Sequence, residues 1–437
     1  MRRRRFNTLW LLPPVILAAL FIWAVAGQLK YRPVKTSVTR IYGSGQGPEP
    51  GESRGQGSGN RPGGYGTPEG EADSQAALLL SGDVFAGHAG AGVSGAGEAS
   101  VAGNGEMDGE SHDAPGAAGD APGADEISLL FAGDIYLSDH VLNAYDQAGG
   151  IAGVLDEGLR DEIAAADLFI ANQEFPFSDR GAPAADKQFT FRLPPARLTV
   201  LEQMGVDVVT LANNHTLDYG QDALLDTCAL LDGAGIVRIG AGADIDEAAK
   251  AEILEIKGKR IGFLAASRVY PDGSWAASGA RPGVMSTYDP AMLLEAIRRL
   301  RPDCDYLVVY VHWGIERNTS PEAYQVTMGR QYIDAGADLV VGSHPHVLQG
   351  IEYYKGKPIL YSLGNFVFGS SIPETMLVRV ELGEGTGALS LVPAVSSAGF
   401  TRQMDAAKQE DFFRRMEGLS TGVQIEGGAV LPSNHSP

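Results

Sequence analysis

Short apolar runs alternate with segments of helical periodicity between Ile127 and about Phe400, and this alternation limits the fold more than any other feature. Apolar runs of about four to eight residues are typical of strands buried on both faces, and longer amphipathic segments between them are typical of helices. The sequence therefore predicts an α/β domain. The predicted strands are Ile127–Phe131, Leu168–Ala171, Val206–Leu211, Ile261–Ala265, Tyr306–Val311, Leu339–Val341, Ile359–Ser362 and Met376–Leu382. The predicted helices are Gly153–Ala165, Pro194–Met204, Asp222–Ala234, Pro290–Leu300 and Pro321–Ala335.

The chain has two cysteines, Cys228 and Cys304, which is too few for a disulfide framework or a cysteine-rich zinc site. Cys228 shares one face of its predicted helix with Leu224 and Leu231. We therefore interpret Cys228 as a small core residue.

Polar residues follow six of the predicted strands, at the point where each strand ends. In α/β folds, ligands bind beyond the carboxyl ends of the strands. Aspartate, glutamate, asparagine and histidine side chains together suit a hard or borderline divalent cation. The residues in these positions are Asp134; Asn172 and Glu174; Asn213, Asn214 and His215; His312; His344 and His346; and Asn365.

The distribution of histidine supports the same interpretation. The chain has eight histidines, and four of the five in the predicted domain come directly after strands. A single histidine in such a position is usually an incidental loop residue, but four beside carboxylates favour a site. In His344-Pro345-His346 the proline stiffens a turn between two imidazoles, which is typical of metal ligands.

The amino terminus predicts a membrane anchor over residues 1–30. Four arginines, Arg2 to Arg5, precede 19 uncharged residues from Leu9 to Gly27, close to the roughly 20 needed to span a bilayer. The arginines favour the cytoplasmic side, which places the rest of the chain outside the cell. The alternative is a signal peptide cleaved after Ala24-Val25-Ala26.

Residues 31–126 are interpreted as a disordered, glycine-rich, acidic linker. From residue 42 to residue 126 there are 14 acidic residues, two arginines and 23 glycines. Such a segment cannot bury enough apolar surface to offset its ordering entropy. Within it, Leu78–Phe85 resembles Leu129–Tyr136, and we expect the second copy to open the domain because ordered sequence follows it directly. The domain is predicted over 127–400, with a helix and tail over 401–437.

The charge balance narrows the function. With 34 basic and 54 acidic residues, the net charge of −20 argues against a general nucleic-acid binder. The sequence contains no Gly-x-x-x-x-Gly-Lys-Ser/Thr motif, so an ATP-dependent ligase activity is not expected in this chain.

The motifs in their order along the chain resemble the CapA family of capsule or poly-γ-glutamate biosynthesis proteins, over about residues 127–400. This resemblance implies a fold similar to calcineurin-like metallophosphatases, a four-layer α-β-β-α sandwich preceded by one transmembrane helix and the linker. The motifs are Gly133-Asp134, Asn172-Gln173-Glu174, Asn213-Asn214-His215-x-x-Asp218-Tyr219-Gly220, His312-Trp313-Gly314-x-Glu316, Gly342-Ser343-His344-Pro345-His346-x-x-Gln349 and Ser362-Leu363-Gly364-Asn365-Phe366.

The resemblance also implies roles for individual residues. One or two divalent ions, Mn, Fe or Zn, would be bound, and a hydroxide bridging two ions would be the nucleophile. His215 would be the general acid, and Asp218 either orients its imidazole or caps the helix that begins near Gln221. The implied metal ligands are Asp134, Glu174, Asn214, His312, His344 and His346.

One position departs from the metallophosphatase pattern. Those enzymes carry Asp-x-His where this chain has Asp134-Ile135-Tyr136. A tyrosine, with a pKa of about 10, is a poor ligand near neutral pH. This departure leaves a single-metal centre open beside a two-metal one.

Three further residues are candidates for substrate contact. Arg192 and Arg268 are cations that could meet an acidic ligand, and Asn365 either hydrogen-bonds the site or caps a turn. Glu316 and Arg317 are interpreted as a solvated loop pair, with substrate contact as the alternative.

These observations lead to one functional hypothesis with two alternatives. The hypothesis is a single-pass, membrane-anchored, extracellular component of bacterial poly-γ-glutamate synthesis or export, with a metal-dependent hydrolase-like site. Its expected partners are the bilayer, separate synthase or export subunits and an acidic polymer. The alternatives are a secreted metallophosphoesterase acting on another cell-envelope substrate, and a non-catalytic, metal-assisted binder of an acidic polymer.

Overall fold

The computed structural model describes residues 38–41, 126–383 and 387–433, and all of them belong to one compact unit. The predicted anchor, most of the predicted linker and the strand copy at 78–85 lie outside the described residues. In the part of the chain that the structure describes, no helix has the length and apolar character to cross a membrane.

All eight predicted strands and all five predicted helices are present, with boundaries shifted by a few residues, among further elements. The elements are β1 Val38–Ile41, β2 Ile127–Ile135, α1 Asp139–Ala148, α2 Glu157–Ala165, β3 Leu168–Gln173, α3 Leu198–Met204, β4 Val208–Thr210, α4 Gln221–Ala234, β5 Val237–Ile239, β6 Ala241–Gly242, α5 Ile245–Ala248, β7 Glu252–Ile256, β8 Lys259–Ser267, β9 Gly283–Val284, α6 Ala291–Leu300, β10 Tyr306–His312, α7 Ala323–Ala335, β11 Leu339–Ser343, β12 Ile351–Tyr354, β13 Lys357–Leu360, β14 Asn365–Val367, β15 Ser371–Leu382, β16 Ala388–Ser397, β17 Phe400–Gln403, α8 Ala406–Leu419, β18 Val423–Glu426 and β19 Ala429–Pro432.

Most strands form two mixed sheets. The seven-stranded sheet has the order β1-β7-β8-β10-β11-β13-β12, and the ten-stranded sheet has the order β18-β19-β16-β15-β2-β3-β4-β5, with β14 on β2 and β17 on β16. In the first sheet β8, β10, β11 and β13 are parallel neighbours. In the second, β2, β3, β4 and β5 are parallel. Each sheet therefore presents several strand carboxyl ends along one edge.

The alternation of side chains along the strands builds a four-layer domain. On β2, Phe131 enters a core shared by both sheets, whereas Leu130 packs with helices α1 to α4. On β10, Val308 enters the shared core, whereas Val309 packs with α6 and α7. Because successive strand residues point to opposite faces, the two sheets lie face to face with helices outside. This α-β-β-α order is consistent with the metallophosphatase-like fold expected from the sequence.

A close backbone approach fixes the end of β2. A Cβ atom at Gly133 would lie 1.8 Å from the carbonyl oxygen of Gly364, so only glycine fits there. The Asp134 N–H donates a hydrogen bond to the same oxygen at 2.8 Å. In this arrangement Asn365 pairs with Asp134 across the strands, which brings two predicted site residues side by side.

The ordered domain extends beyond the predicted boundaries at both ends. Strand β1 lies inside the predicted 31–126 linker and pairs antiparallel with β7, so these four residues belong to the sheet. The remainder of the linker stays a prediction. At the other end, the expected carboxyl-terminal helix is α8, and it is followed by a hairpin of β18 and β19 that joins the second sheet.

The cysteine interpretation is confirmed. Cys228 is buried on α4 among the residues that pack against the second sheet. Burial raises the pKa of its thiol to about 12, as expected of an inert core residue.

Because β1 and β2 both belong to the domain, the chain between them should be dispensable for folding. We expect deletion of residues 45–115 from the full chain to leave a cooperative unfolding transition at nearly the same denaturant concentration. Deletion of residues 31–115 also removes β1 and should lower the free energy of unfolding by on the order of 2 kcal/mol, through lost sheet hydrogen bonds. Urea unfolding followed by tryptophan fluorescence measures both. Loss of folding in the shorter deletion would mean that the copy at 78–85 belongs to the core.

Candidate metal centre

The carboxyl ends of strands from both sheets meet at one cluster of polar side chains. Asp134 at the end of β2 accepts a hydrogen bond from the backbone N–H of His344, which follows β11 in the other sheet, at 3.3 Å. The amide nitrogen of Asn172 on β3 lies 3.4 Å from Nδ1 of His312 on β10. The structure thus brings together strand ends that are far apart in sequence, as the strand-end pattern predicts.

Two buried carboxylates form the inner part of the cluster. Asp134 and Glu174 have no solvent exposure. The Asn172 amide nitrogen donates to Oδ1 of Asp134 at 2.8 Å and to Oε1 of Glu174 at 3.1 Å. Burial, together with the charge of Asp134, raises the pKa of Glu174 well above its usual value. One neutral amide therefore joins two groups that repel each other when both are ionised.

His346 faces this carboxylate pair. Its Nδ1 lies 2.8 Å from Oδ1 of Asn365 and 3.4 Å from Oδ2 of Asp134, and its Nε2 lies 3.9 Å from Oε2 of Glu174. Burial lowers the pKa of His346, but the two carboxylates outweigh it and raise the pKa to about 10. Asn365 thus hydrogen-bonds the site, one of the two roles expected for it.

The turn that carries the two histidines has a left-handed backbone. His344 has φ = 97° and His346 has φ = 56°. Non-glycine residues adopt this region at a cost and are held there by their surroundings. Such a turn aims both imidazoles at the cluster instead of along a strand.

His312 lies between the two sheets with both ring nitrogens engaged. Its Nδ1 lies 2.9 Å from Oγ of Ser343, and its Nε2 lies 2.8 Å from Oδ1 of Asn214. Burial and the neighbouring histidines lower the pKa of His312 well below its usual value, so the ring is neutral. The structure places His312 and Asn214 in the cluster, and their roles as ligands stay predictions.

The residues of the cluster fit a divalent cation. Asp134, Glu174 and His346 each offer one ligand atom within 4.8 Å of the others, and Glu316, His344 and His346 do the same. Two buried atoms of the cluster, Oε2 of Glu174 and Nδ1 of His344, have no hydrogen-bond partner within the described part of the chain. Buried polar atoms are rarely left unpaired in proteins. A cation bound among these side chains would offset the carboxylate repulsion.

A second group of polar side chains surrounds His215. Its Nδ1 lies 2.7 Å from Oδ2 of Asp218, and helix α4 begins after Gly220 without a side-chain cap. Asp218 therefore orients His215 instead of capping the helix, which settles the two alternatives expected for it. Burial lowers the pKa of His215 to about 4, although Asp218 opposes this shift.

Lys187 completes this group. Its Nζ forms a salt bridge with Oδ1 of Asp218, lies 3.1 Å from Nδ1 of His215 and donates to the carbonyl oxygen of Asn214. Burial lowers the pKa of the lysine, and Asp218 opposes this effect. Lys187 thus links His215, the predicted general acid, to the backbone of Asn214, a predicted metal ligand.

An aromatic stack flanks His215. Phe191 stacks on the His215 ring at 4.1 Å between centroids and on the Tyr136 ring at 3.8 Å. Burial, with a smaller contribution from Asp139, raises the pKa of Tyr136 to about 12. The Tyr136 phenol is therefore neutral near pH 7, and its ring belongs to the stack.

The two predicted substrate-binding arginines lie in stacked positions. The Arg192 guanidinium lies 4.1 Å from the centroid of the Tyr219 ring and donates to the carbonyl oxygen of Arg180. The Arg268 guanidinium lies 4.5 Å from the centroid of the Tyr324 ring, and the Arg268 backbone N–H donates to the carbonyl oxygen of His312. Arg268 is thus adjacent to the cluster through its backbone, and substrate contact by either arginine stays a prediction.

Sequence reasoning missed the functional positions of three residues. Asn172 belongs to a recognised motif, but its spacing gives no sign that it bridges two carboxylates. Lys187 lies in an aperiodic loop, and no local signal places it beside Asp218. Glu316 was interpreted as a solvated loop residue, and it is exposed, yet its carboxylate lies close to two site histidines.

The fold and the cluster define a four-layer α/β domain with a carboxylate–histidine centre suited to a divalent cation. The model of the bacterial capsule synthesis protein family PGA_cap matches residues 128–370, and the chain belongs to this family.

Curated relatives agree with this family assignment. The PGA biosynthesis protein CapA of Bacillus subtilis is 34% identical over 275 residues, covering 62% of this chain and 71% of that protein. The capsule biosynthesis protein CapA of Bacillus anthracis is 29% identical over 294 residues, covering 65% and 71%. A probable polyglutamine synthesis accessory protein of Mycobacterium tuberculosis is 36% identical over 216 residues, covering 47% and 57%.

The Lys187–Asp218 pair should contribute strongly to stability because Asp218 has no solvent exposure. Replacing Lys187 with methionine leaves a buried carboxylate without its cation, which typically costs about 3–5 kcal/mol. Urea unfolding of the full chain measures the loss, and Asp218→Asn in the same chain should restore part of it. Lys355→Met is the matched control, because Lys355 pairs with Asp334 on the surface and should change stability by only about 0–1 kcal/mol. Equal effects of the two lysine variants would contradict the prediction.

Proposed function

We propose that this chain is a membrane-anchored, extracellular component of poly-γ-glutamate capsule synthesis or export that carries a metal-dependent hydrolase-like site. Family membership supports the role in capsule synthesis, and two relatives are named as CapA proteins. The observation that carries the hydrolase-like site is the pair of orphaned buried atoms, on Glu174 and His344, within two groups of ligand-type side chains. Separate synthase or export subunits would be its partners, since a third relative is named as an accessory protein.

Each group in the site has a distinct chemical role in the proposed function. A bound divalent cation supplies Lewis-acid polarisation of a scissile carbonyl or phosphoryl oxygen. Asp134 and Glu174 hold negative charge at the inner side, and the Asn172 amide fixes their separation. Asn365 holds the ring of His346 through Nδ1. The rigid strand ends thus keep the ligand atoms in place for repeated turnover.

His215 is the group that can transfer a proton. Asp218 engages its Nδ1, so Nε2 is the nitrogen that can protonate a leaving group. Burial holds the pKa of the ring low, at about 4, which makes the imidazolium a strong acid once it is formed. Lys187 and Asp218 fix the ring orientation from the opposite side.

One observation favours a second candidate, a non-catalytic binder that uses a cation to hold an acidic polymer. Tyr136 stands where metallophosphatases carry a ligand histidine, and its ring packs on Phe191. A centre with fewer ligands would still bind carboxylate groups of a polymer. A phosphoesterase with another cell-envelope substrate remains the third outcome of the tests below.

The anchor is proposed from the arginine cluster and the apolar run at the amino terminus. Strand β1 begins at Val38, so at most seven residues, 31–37, separate the proposed anchor from the sheet. Fully extended, they would reach about 25 Å. The domain would therefore lie close to the outer face of the cell membrane, where a polymer leaves a membrane-bound synthase.

The purified full chain should bind Mn²⁺ or Zn²⁺ through its histidine turn. We expect His344→Ala and His346→Ala to reduce the bound metal strongly, because each removes a ring from the cluster. His140→Ala is the matched control, since His140 is exposed on α1. Metal analysis by plasma mass spectrometry after dialysis measures the content. Absence of metal above background in the wild-type chain would refute the proposed metal site.

His215 should be needed for hydrolysis but not for metal content. We expect His215→Gln to bind metal as the wild type does and to lose activity by about 10²–10⁴-fold, the usual contribution of a positioned proton donor. Release of new amino ends from poly-γ-glutamate, and cleavage of an aryl phosphodiester, measure the two candidate reactions. Polymer cleavage supports the proposal, whereas phosphodiester cleavage alone supports the phosphoesterase. If neither is cleaved while the metalated chain retains the polymer on a column, the binder is supported.

A further inference from the structure

Glu316 is an exposed residue whose carboxylate lies close to two histidines of the site. It lies in the segment between β10 and α7 and is exposed. Its carboxylate nevertheless offers an oxygen within 4.8 Å of ligand nitrogens of His344 and His346. Among the described residues, this carboxylate has no hydrogen bond or ion pair. The Glu316 carboxylate and the two imidazoles are therefore close enough for one cation to contact all three.

The backbone fastens the Glu316 segment to the histidine turn. The Arg317 N–H donates to the carbonyl oxygen of Pro345 at 2.7 Å, and the Trp313 N–H donates to the carbonyl oxygen of Ser343 at 3.1 Å. A Cβ atom at Gly314 would lie 2.9 Å from Cγ of Pro345, so glycine is needed for this contact. These contacts hold Glu316 on both sides, so its approach to the histidines is built into the fold.

His344 is the more buried of the two histidines in this group. It is 5% exposed, and its Nδ1 has no hydrogen-bond partner among the residues that the structure describes. His344 thus lies beside the Glu316 carboxylate and a second imidazole, and the protein leaves one of its ring nitrogens available to a cation.

The three side chains form a recognisable ligand set. Two histidines and one glutamate, with a remaining open position, are typical of catalytic zinc sites, whereas structural sites are closed by four protein ligands. Here Glu316 is exposed, whereas Asp134 and Glu174 are buried. A substrate arriving from solvent would meet the cation on the Glu316 side first.

We propose that Glu316, His344 and His346 together bind a divalent cation on the solvent side of the buried carboxylates. This inference rests on the proposed metal-dependent function and adds a ligand outside the expected set. It makes the 313–317 segment part of the metal centre. It also accounts for the shared role of the histidine turn, because His346 faces both the buried carboxylates and Glu316.

The test is titration of the chelator-treated full chain with Zn²⁺ in a calorimeter, comparing Glu316→Gln with the wild type. Glu316→Gln keeps the shape of the side chain and removes its charge. We expect its affinity for at least one Zn²⁺ to fall about tenfold or more, since even indirect support of a ligand contributes about 10- to 100-fold. Glu316→His restores a ligand and should recover most of the affinity.

Two controls separate ligand loss from other causes. Glu295→Gln removes another exposed charge, from α6, where Glu295 lies 3.7 Å from Arg298, and it should bind as the wild type does. Thermal unfolding in chelator should be nearly the same for Glu316→Gln and the wild type, because this carboxylate makes no hydrogen bond or ion pair with the residues that the structure describes.

The outcomes distinguish this inference from the proposed function. Tight binding by the wild type and weakened binding by Glu316→Gln support the inference. Equal binding by both overturns the role of Glu316 and leaves the proposed metal centre intact. Absence of binding by the wild type overturns the metal-dependent function and this inference with it.

Discussion

The buried carboxylate pair of Asp134 and Glu174 is the constraint on which the rest of the site depends. Two like charges without solvent are costly unless donors or cations surround them. Here the donors come from separate elements: the Asn172 amide on β3, the backbone N–H of His344 after β11, and the ring of His346. The pair is therefore tolerated only when strands from both sheets end at the same point. The two sheets must consequently pack together correctly for the site to form.

The contact between the sheets is fixed directly beneath this pair. The Tyr310 hydroxyl on β10 donates to the carbonyl oxygen of Ala132 on β2 at 2.9 Å, within the shared core. Two residues further along each strand lie His312 and Asp134. Because a shift by one residue would turn each strand's side chains to the opposite face, this hydrogen bond helps to set which residues meet at the strand ends.

The parallel centre of each sheet could be predicted from sequence, and the edges largely could not. Strands such as β10 are buried on both faces and give continuous apolar runs, whereas the carboxyl-terminal strands alternate with polar residues and lack such a signal. Strand β1 is isolated by more than 80 residues from the next strand, so nothing local links it to the domain. The histidines and carboxylates of the site follow strands and were found for that reason. Lys187 was missed because its partner Asp218 is 31 residues away and loops carry no periodicity.

The electrostatics of the site bear on how an acidic polymer could be held. The cluster carries carboxylates on its inner side at Asp134 and Glu174, and a further one at its mouth, Glu316. The nearby cation Lys187 is already paired with Asp218, so it cannot neutralise a second carboxylate without giving up the first. Like charges repel strongly where water is scarce. A polyglutamate chain would therefore meet carboxylates at this site, and a cation shared between its carboxylates and those of the protein would offset the repulsion. The proposed metal would then be a means of substrate binding as well as the source of the chemistry.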